Sequence, residues 1–151
     1  MAIAGLRLLA EDADDLLIVS AAVQDAIFKV SDALWLPNKR RFTLRLQRFV
    51  QTDEMANGKG KPIHGQRVWA ALAFEGVLSV QAKKVAQSRR EAFASLLSLA
   101  FEPGEAPGGK LTLSLADGGE ILLQLECIDA VLVDLSPPRD AVAKPDHELE
   151  T

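Results

Sequence analysis

The feature that most constrains this chain is a regular alternation of apolar residues towards its C-terminal end. Leucine occupies every second position of 111–115, and Asp117-Gly118, a preferred tight-turn pair, follows. From Ile121 to Leu135 the apolar residues keep one parity over fifteen positions, with Asp129 as the exception. A period of two predicts half-buried antiparallel strands. A strand of that length would exceed the usual ~3–10 residues, so we expect a bend or bulge near Asp129.

One stretch has a clear helical period. Asp12 stands where an N-cap belongs, and apolar residues recur at spacings of three and four from Leu16 to Ile27. We therefore predict a helix over residues 13–26. A capping-box pattern at 88–91 predicts a second, short helix that gives way to a strand at about 97–102.

Weaker alternation predicts the remaining strands. Residues 6–9, 28–36 and 41–47 are predicted to be extended, and residues 67–74 and 77–84 are predicted to form a hairpin around Glu75-Gly76. Strands that follow one another through short turns are antiparallel, and a βαβ pattern is absent. We predict an α+β fold: a strongly curved, mainly antiparallel sheet or partial barrel of about eight strands with one main N-terminal helix packed on it.

Length and composition fit one domain followed by a tail. The chain has 151 residues, of which 48% are hydrophobic and 25% charged, as expected for a globular domain. We predict a single α+β domain over residues 1–137 and a disordered C-terminal tail over 138–151, which is rich in charge and proline. The polar, glycine-containing segment 51–65 is predicted to be a long loop.

The sequence also suggests where the protein works. No segment approaches the ~20 apolar residues needed to span a bilayer. The chain has one cysteine, Cys127, which cannot form an intrachain disulfide and therefore fits a reducing compartment. We expect a cytoplasmic protein without membrane contact.

Four stretches carry a resemblance to a known family. They are LRLLAEDADDL at 6–16, WLPNKRRF at 35–42, FEPGEAP at 101–107 and LECID at 125–129. Together they resemble the alphaproteobacterial domain-of-unknown-function family 2948, over roughly residues 6–137. The resemblance implies a bacterial cytoplasmic protein that usually occupies a whole chain. It implies no catalytic or binding residues.

No residue pattern points to catalysis, a metal or a cofactor. Cys127 with His64 could form a nucleophile–base pair, but Cys127 lies on an apolar parity, where a buried core cysteine is the better interpretation. His147 is the only other histidine, and this set falls short of any zinc pattern. The segment Gly58-Lys59-Gly60-Lys61 lacks the spacing and the hydroxyl residue of a phosphate loop. We expect no metal and no cofactor, and we lean against an enzyme.

A basic segment is the one compositional hint of a partner. Between residues 39 and 67 there are eight basic and two acidic side chains, a net charge of +6 in a chain whose charge is −4. Six residues around one predicted hairpin are our candidate partner-binding set: Trp35, Lys39, Arg40, Arg41, Arg45 and Arg48. The alternative is a solvated strand face whose charges block aggregation, with Trp35 in the core.

Three functions remain open on the sequence alone. The favoured one is a non-enzymatic interaction module whose basic hairpin binds an acidic protein partner. RNA or another nucleic acid on the same surface is less favoured, because nucleic-acid-binding domains are usually basic overall. A small-molecule or enzymatic pocket in the mouth of the sheet is the third, with Asp129 as its marker. Trp69 and Phe74 are assigned to the core.

Overall fold

The described part of the chain forms one α-helix and many short strands. The computed structural model describes residues 5–50, 66–85, 89–137 and 139–140. Helix α1 covers Ala13–Ala22. The strands, in chain order, are β1 (Arg7–Ala10), β2 (Ile27–Lys29), β3 (Ala33–Leu36), β4 (Arg41–Phe49), β5 (Gln66–Glu75), β6 (Val77–Lys83), β7 (Phe93–Pro103), β8 (Gly109–Leu115), β9 (Glu120–Leu125), β10 (Ala130–Asp134) and β11 (Arg139–Asp140).

All strand pairings within these residues are antiparallel. The order across the sheet is β1-β10-β5-β4-β2-β7-β8-β9-β6, with β3 beside β4 and β11 beside β5. Strands β1 and β6 stand at the two ends of this order, and the sheet is not closed into a barrel. The predicted α+β fold, with a mainly antiparallel sheet and a single helix, is confirmed. The described residues contain ten strands rather than about eight, besides the two-residue β11.

The strands form two halves around a single core. One half contains β1, β10, β5, β4, β3 and β2, and the other contains β7, β8, β9 and β6. Inward side chains of both halves, such as Leu44 and Leu123, belong to one cluster of buried apolar residues. Helix α1 adds Leu16, Val19 and Ala22 to the same cluster. The period of two along the strands thus divides each strand into a core side and an outer side.

Two chain segments pass from one half to the other at the same corner. Strand β5 continues into β6 through Gly76, and β9 continues into β10 through residues 126–129. The Glu75 amide donates to the Asp129 carbonyl at 2.9 Å, and the Glu126 amide donates to the Gly76 carbonyl at 2.9 Å. The two bends therefore lie side by side, and the predicted bend near Asp129 is confirmed.

The hairpin predicted around Glu75-Gly76 is wrong. Strand β5 pairs with β4 and β10, whereas β6 pairs with β9. Gly76 has a φ of +70°, a left-handed conformation that glycine adopts readily. Here that freedom bends one continuous segment instead of reversing it.

Helix α1 lies along β7 and begins at the predicted N-cap. The Asp12 carboxylate accepts a hydrogen bond from the Asp15 amide at 2.8 Å, which satisfies a helix-terminal donor. The Ser20 hydroxyl accepts from the Leu99 amide at 3.0 Å and ties the helix to β7. The helix ends at Ala22 instead of residue 26.

The second predicted helix is wrong within the described residues. Residues 93–103 form strand β7, which pairs with β2 at its start and with β8 from Leu96 onward, with a bulge between Leu96 and Ser98. An apolar run of this length suits a helix or a strand, and pairing with strands distant in sequence decides the outcome.

Some predictions fall on residues outside the described ranges. These are the 51–65 loop with His64 and the segment 58–61, and the tail beyond residue 140. Residues 139 and 140 of the predicted tail form β11, where Arg139 pairs with Arg67 and Asp140 with Gln66. The division into a domain over 1–137 and a disordered tail stays a prediction.

Replacing Gly76 with alanine should destabilise the protein by about 1–2 kcal/mol, because a Cβ makes the left-handed backbone conformation costly. The nearest atom to that Cβ would be the Glu126 Cβ at 3.7 Å, so no clash contributes. Gly76→Asn should cost less, since asparagine tolerates this conformation better. Urea denaturation of the three proteins measures the difference, and equal losses for alanine and asparagine would contradict this account.

Candidate functional site

Arg48, one of the six predicted partner-binding residues, is buried and internally paired. It is 1% exposed, since it shares the inward parity of Phe42, Leu44 and Leu46. Its Nε and Nη2 lie 2.9 Å from Oδ1 and Oδ2 of Asp134, forming a bidentate ion pair. Arg48 is a structural residue rather than part of an exposed surface.

The Arg48–Asp134 pair joins two strands that are not neighbours. Asp134 lies on β10 and Arg48 on β4, with β5 between them, so the arginine reaches across about 10 Å of sheet. The Asp134 carboxylate also accepts a hydrogen bond from the Leu6 amide at 2.9 Å. One buried carboxylate thus connects β4, β10 and the segment that enters β1.

The hairpin turn carries two more of the predicted arginines, and both face carboxylates. Arg41 Nε lies 2.8 Å from Glu75 Oε2, its partner across the β4–β5 pairing. Arg40, in a left-handed conformation at the turn, pairs with Glu126 at the corner. Lys39 is exposed, and no carboxylate of the described residues pairs with it. The positive charge of the turn is therefore largely balanced within the protein.

Trp35 lies on the inward side of its strand. It pairs with Phe42 across β3 and β4 and packs, half-buried, against the core. The hairpin therefore separates the predicted set: Trp35 and Arg48 face inward, Arg41 and Arg45 face outward, and the others lie at the turn.

Arg45 lies over an aromatic ring on the outer side of the sheet. Its guanidinium carbon is 4.4 Å from the centroid of the Trp69 ring, and its Nε is 3.6 Å from Asp32 Oδ1. The assignment of Trp69 to the core is wrong, because Val68, Ala70, Leu72 and Phe74 occupy the inward parity of β5. The assignment of Phe74 to the core is confirmed by its 1% exposure.

A second arginine–aromatic contact lies beside the first. The Arg67 guanidinium carbon is 4.3 Å from the centroid of the Phe49 ring, and the two residues are direct partners across β4 and β5. Burial lowers the pKa of Arg67. Its Nε is buried and has no hydrogen-bond partner among the described residues. We call Arg45, Trp69, Arg67 and Phe49 the stacked face.

Small and branched apolar side chains continue the outer surface beside the stacked face. Ala71 and Ala73 of β5 are outward and partly exposed, and they pair with Val133 and Val131 of β10. Leu9 pairs with Val131 from β1 and is 59% exposed. These residues form an apolar strip on the outer side of the half of the sheet that contains β1, β5 and β10.

The stacked face could have been found partly from sequence. Arg67 belongs to the basic segment, and the alternation of 68–74 already puts Arg67 and Trp69 on the side opposite the core. The β4–β5 register, which places Phe49 opposite Arg67 and Trp69 opposite Gln47, has no sequence signal.

The other predicted chemistry does not assemble in the described residues. Asp129 is exposed at the bend, and Cys127 is a free, partly buried cysteine. His64 is outside the described ranges, so a Cys127–His64 pair is not placed. Within those ranges no group of three or more His, Cys, Asp or Glu side chains could hold a metal ion. Nor does any helix there have the length and apolar character to cross a membrane.

The fold defines the class of protein: an α+β domain built on an open, mainly antiparallel sheet. The chain belongs to the family described as "Protein of unknown function (DUF2948)", whose profile matches residues 6–147. The predicted membership of family 2948 is confirmed, and the match continues past residue 137, where we expected it to end. No curated protein and no solved structure matches the chain.

Replacing Arg48 with methionine should destabilise the protein by about 3–5 kcal/mol, because it leaves the Asp134 charge buried without its partner. Arg45→Met, on the outer side of the same strand, should cost less than about 1 kcal/mol, since exposed ion pairs contribute little. Chemical denaturation of both variants measures the contrast. A loss for Arg48→Met no larger than that for Arg45→Met would contradict the structural role.

Proposed function

We propose that this protein is a non-enzymatic interaction module of the bacterial cytoplasm that binds an acidic protein partner through the stacked face. The observation that carries the proposal is the pair of guanidinium groups held over aromatic rings on one outer sheet surface. An aromatic ring below a guanidinium group holds that group in place. The N–H groups of the guanidinium lie in its own plane and can form two parallel hydrogen bonds to a carboxylate.

Arg67 is the centre of this interface. Its guanidinium is partly desolvated, which lowers its pKa, and it has no carboxylate partner among the described residues. Desolvation strengthens an ion pair formed with an incoming carboxylate, because the local dielectric is lower than in water. Arg45 adds a second positive group, whose own contact with Asp32 is long at 3.6 Å.

The composition of the surface fits a protein interface. Arginine and tryptophan are the residue types that most often carry binding energy at protein interfaces. The strip of Ala71, Ala73, Val131 and Val133 supplies an apolar area beside them, as the centre of an interface requires. A partner segment with two carboxylates next to an apolar side chain matches both parts.

The charge distribution favours an acidic protein over a nucleic acid. Arg40 and Arg41 are paired with glutamates, and Arg48 is buried, so few positive groups remain for a row of phosphates. The net charge of −4 also opposes approach to a polyanion. The single cysteine supports the cytoplasmic location, since it suits a reducing compartment.

The double variant Arg45→Gln with Arg67→Gln should abolish co-purification of the partner from the native host, because both carboxylate-binding groups are lost. The matched control is Lys83→Gln with Lys110→Gln, which removes the same charge from exposed positions on the other half. Affinity purification with cross-linking measures both variants, and the cross-linked partner peptide should carry at least two acidic residues. Thermal melts check that each variant is folded.

Two results would overturn the proposal. One is retention of the cross-linked partner by the folded Arg45→Gln, Arg67→Gln variant. The other is binding of single-stranded or duplex RNA in fluorescence anisotropy at low salt, with an affinity that falls steeply as salt rises. We expect no RNA binding under these conditions.

A further inference from the structure

An incomplete closure of the sheet creates a cavity on the inner side of the β3–β4 hairpin. The Val77 amide donates to the Arg40 carbonyl at 2.9 Å, so β6 begins against the hairpin turn. Beyond that contact, β3 is paired only with β4 and β6 only with β9 among the described residues. A cavity of about 250 Å³ lies between these two strands.

The cavity has apolar walls from both halves of the sheet and a charged group at its edge. Trp35 and Phe42 line it from the hairpin, and Val80 and Ile121 line it from β6 and β9. Among the described residues that line it, Arg90 is the charged one, and its exposure puts the charge at the solvent side. The cavity thus presents an apolar interior with a cation at its edge.

Arg90 is available to a ligand because the neighbouring acid is engaged elsewhere. Glu91 Oε1 lies 3.0 Å from Lys29 Nζ, and its Oε2 accepts from the Ser31 hydroxyl at 3.4 Å. The hydrogen bond and the charge of Lys29 are the main causes that lower the pKa of Glu91, and the charge of the adjacent Arg90 contributes less to the same shift. None of the described carboxylates forms an ion pair with Arg90.

We propose that this cavity binds a small monocarboxylic acid, with its apolar body against Trp35 and Phe42 and its carboxylate on Arg90. An apolar cavity of roughly 150 Å³ accommodates benzene, so a cavity of about 250 Å³ suits a whole ligand of roughly ten non-hydrogen atoms, the carboxylate included. A linear eight-carbon acid and 3-phenylpropanoate have this size. A cavity lined in this way matches the usual ligand site, which is mostly apolar with few orienting polar groups.

This cavity is separate from the stacked face, and it is not the pocket that the sequence predicted beside Asp129. Asp129, predicted as the marker of a pocket, does not line the cavity. The strand residues that line the cavity, such as Trp35 and Phe42, face inward, whereas Arg45 and Arg67 lie on the outer side. The two proposals can therefore fail independently.

Tryptophan fluorescence tests the site directly, because the chain has two tryptophans. Trp69→Phe leaves Trp35, in the cavity wall, as the only reporter. Titration of this variant with octanoate should give a saturable change in emission. Octan-1-ol, which has the same chain without the charge, should bind about tenfold more weakly, a difference typical of one charge-assisted contact.

Three further variants, all in the Trp69→Phe background, separate the charge from the apolar body. Arg90→Gln should weaken octanoate binding about tenfold and leave octan-1-ol unchanged, whereas the adjacent Arg89→Gln, which is not in the lining, should change neither. Ala82→Phe fills the cavity from β6 and should abolish both signals. Absence of a saturable Trp35 signal with millimolar octanoate would overturn the proposal, and so would equal effects of Arg90→Gln and Arg89→Gln.

Discussion

The corner at Gly76 and residues 126–129 is the constraint on which the rest of the structure depends. Two antiparallel segments bend there together, joined by backbone hydrogen bonds of 2.9 Å on both sides of the bend. The same ribbon therefore belongs to both halves of the sheet and faces one core from both. The inward positions change parity at the corner, from Ile121, Leu123 and Leu125 in β9 to Ala130 and Leu132 in β10, so the single parity expected over residues 121–135 is not kept. Beyond the corner, β6 begins against the hairpin turn through the Val77–Arg40 hydrogen bond, and β3 and β6 are not paired with each other among the described residues. The cavity lies between these two strands.

Alternation along β4 gives neighbouring arginines opposite roles. Arg48 faces inward and binds Asp134 across β5, where removal of one partner costs about 3–5 kcal/mol because the other charge stays buried. Arg45, three positions earlier, faces outward over Trp69, where an ion pair contributes only ~0–1 kcal/mol to folding. The outer arginine should therefore contribute little to stability, which agrees with the recognition role proposed for it. The number of basic residues in the segment does not distinguish the buried arginine from the exposed one.

Features that depend on local periodicity were predicted correctly from the sequence. Features that depend on pairing between strands distant in sequence were not. Alternation predicted the antiparallel sheet, the Asp117-Gly118 turn and the bend near Asp129, and the N-cap at Asp12 predicted the start of α1. The hairpin at Gly76 and the second helix failed, because a glycine can bend a strand as well as reverse it and because β2 and β8 supply partners to β7. The alternation of Phe42, Leu44 and Leu46 already indicated that Arg48, two positions further on, faces inward. The stacks of Arg45 and Arg67 required the β4–β5 register, which local sequence does not specify.

The cavity and the stacked face use opposite sides of one hairpin, and one short segment touches both. In the turn Val30–Asp32, Val30 lines the cavity, while the Asp32 carboxylate lies 3.6 Å from Arg45 Nε and accepts from the Lys29 amide at 3.4 Å. A ligand that displaced Val30 would move Asp32 with it and change the contact that opposes an incoming carboxylate at Arg45. Such coupling must be reciprocal in binding free energy. Partner binding would then change the affinity of the cavity for its acid by the same factor.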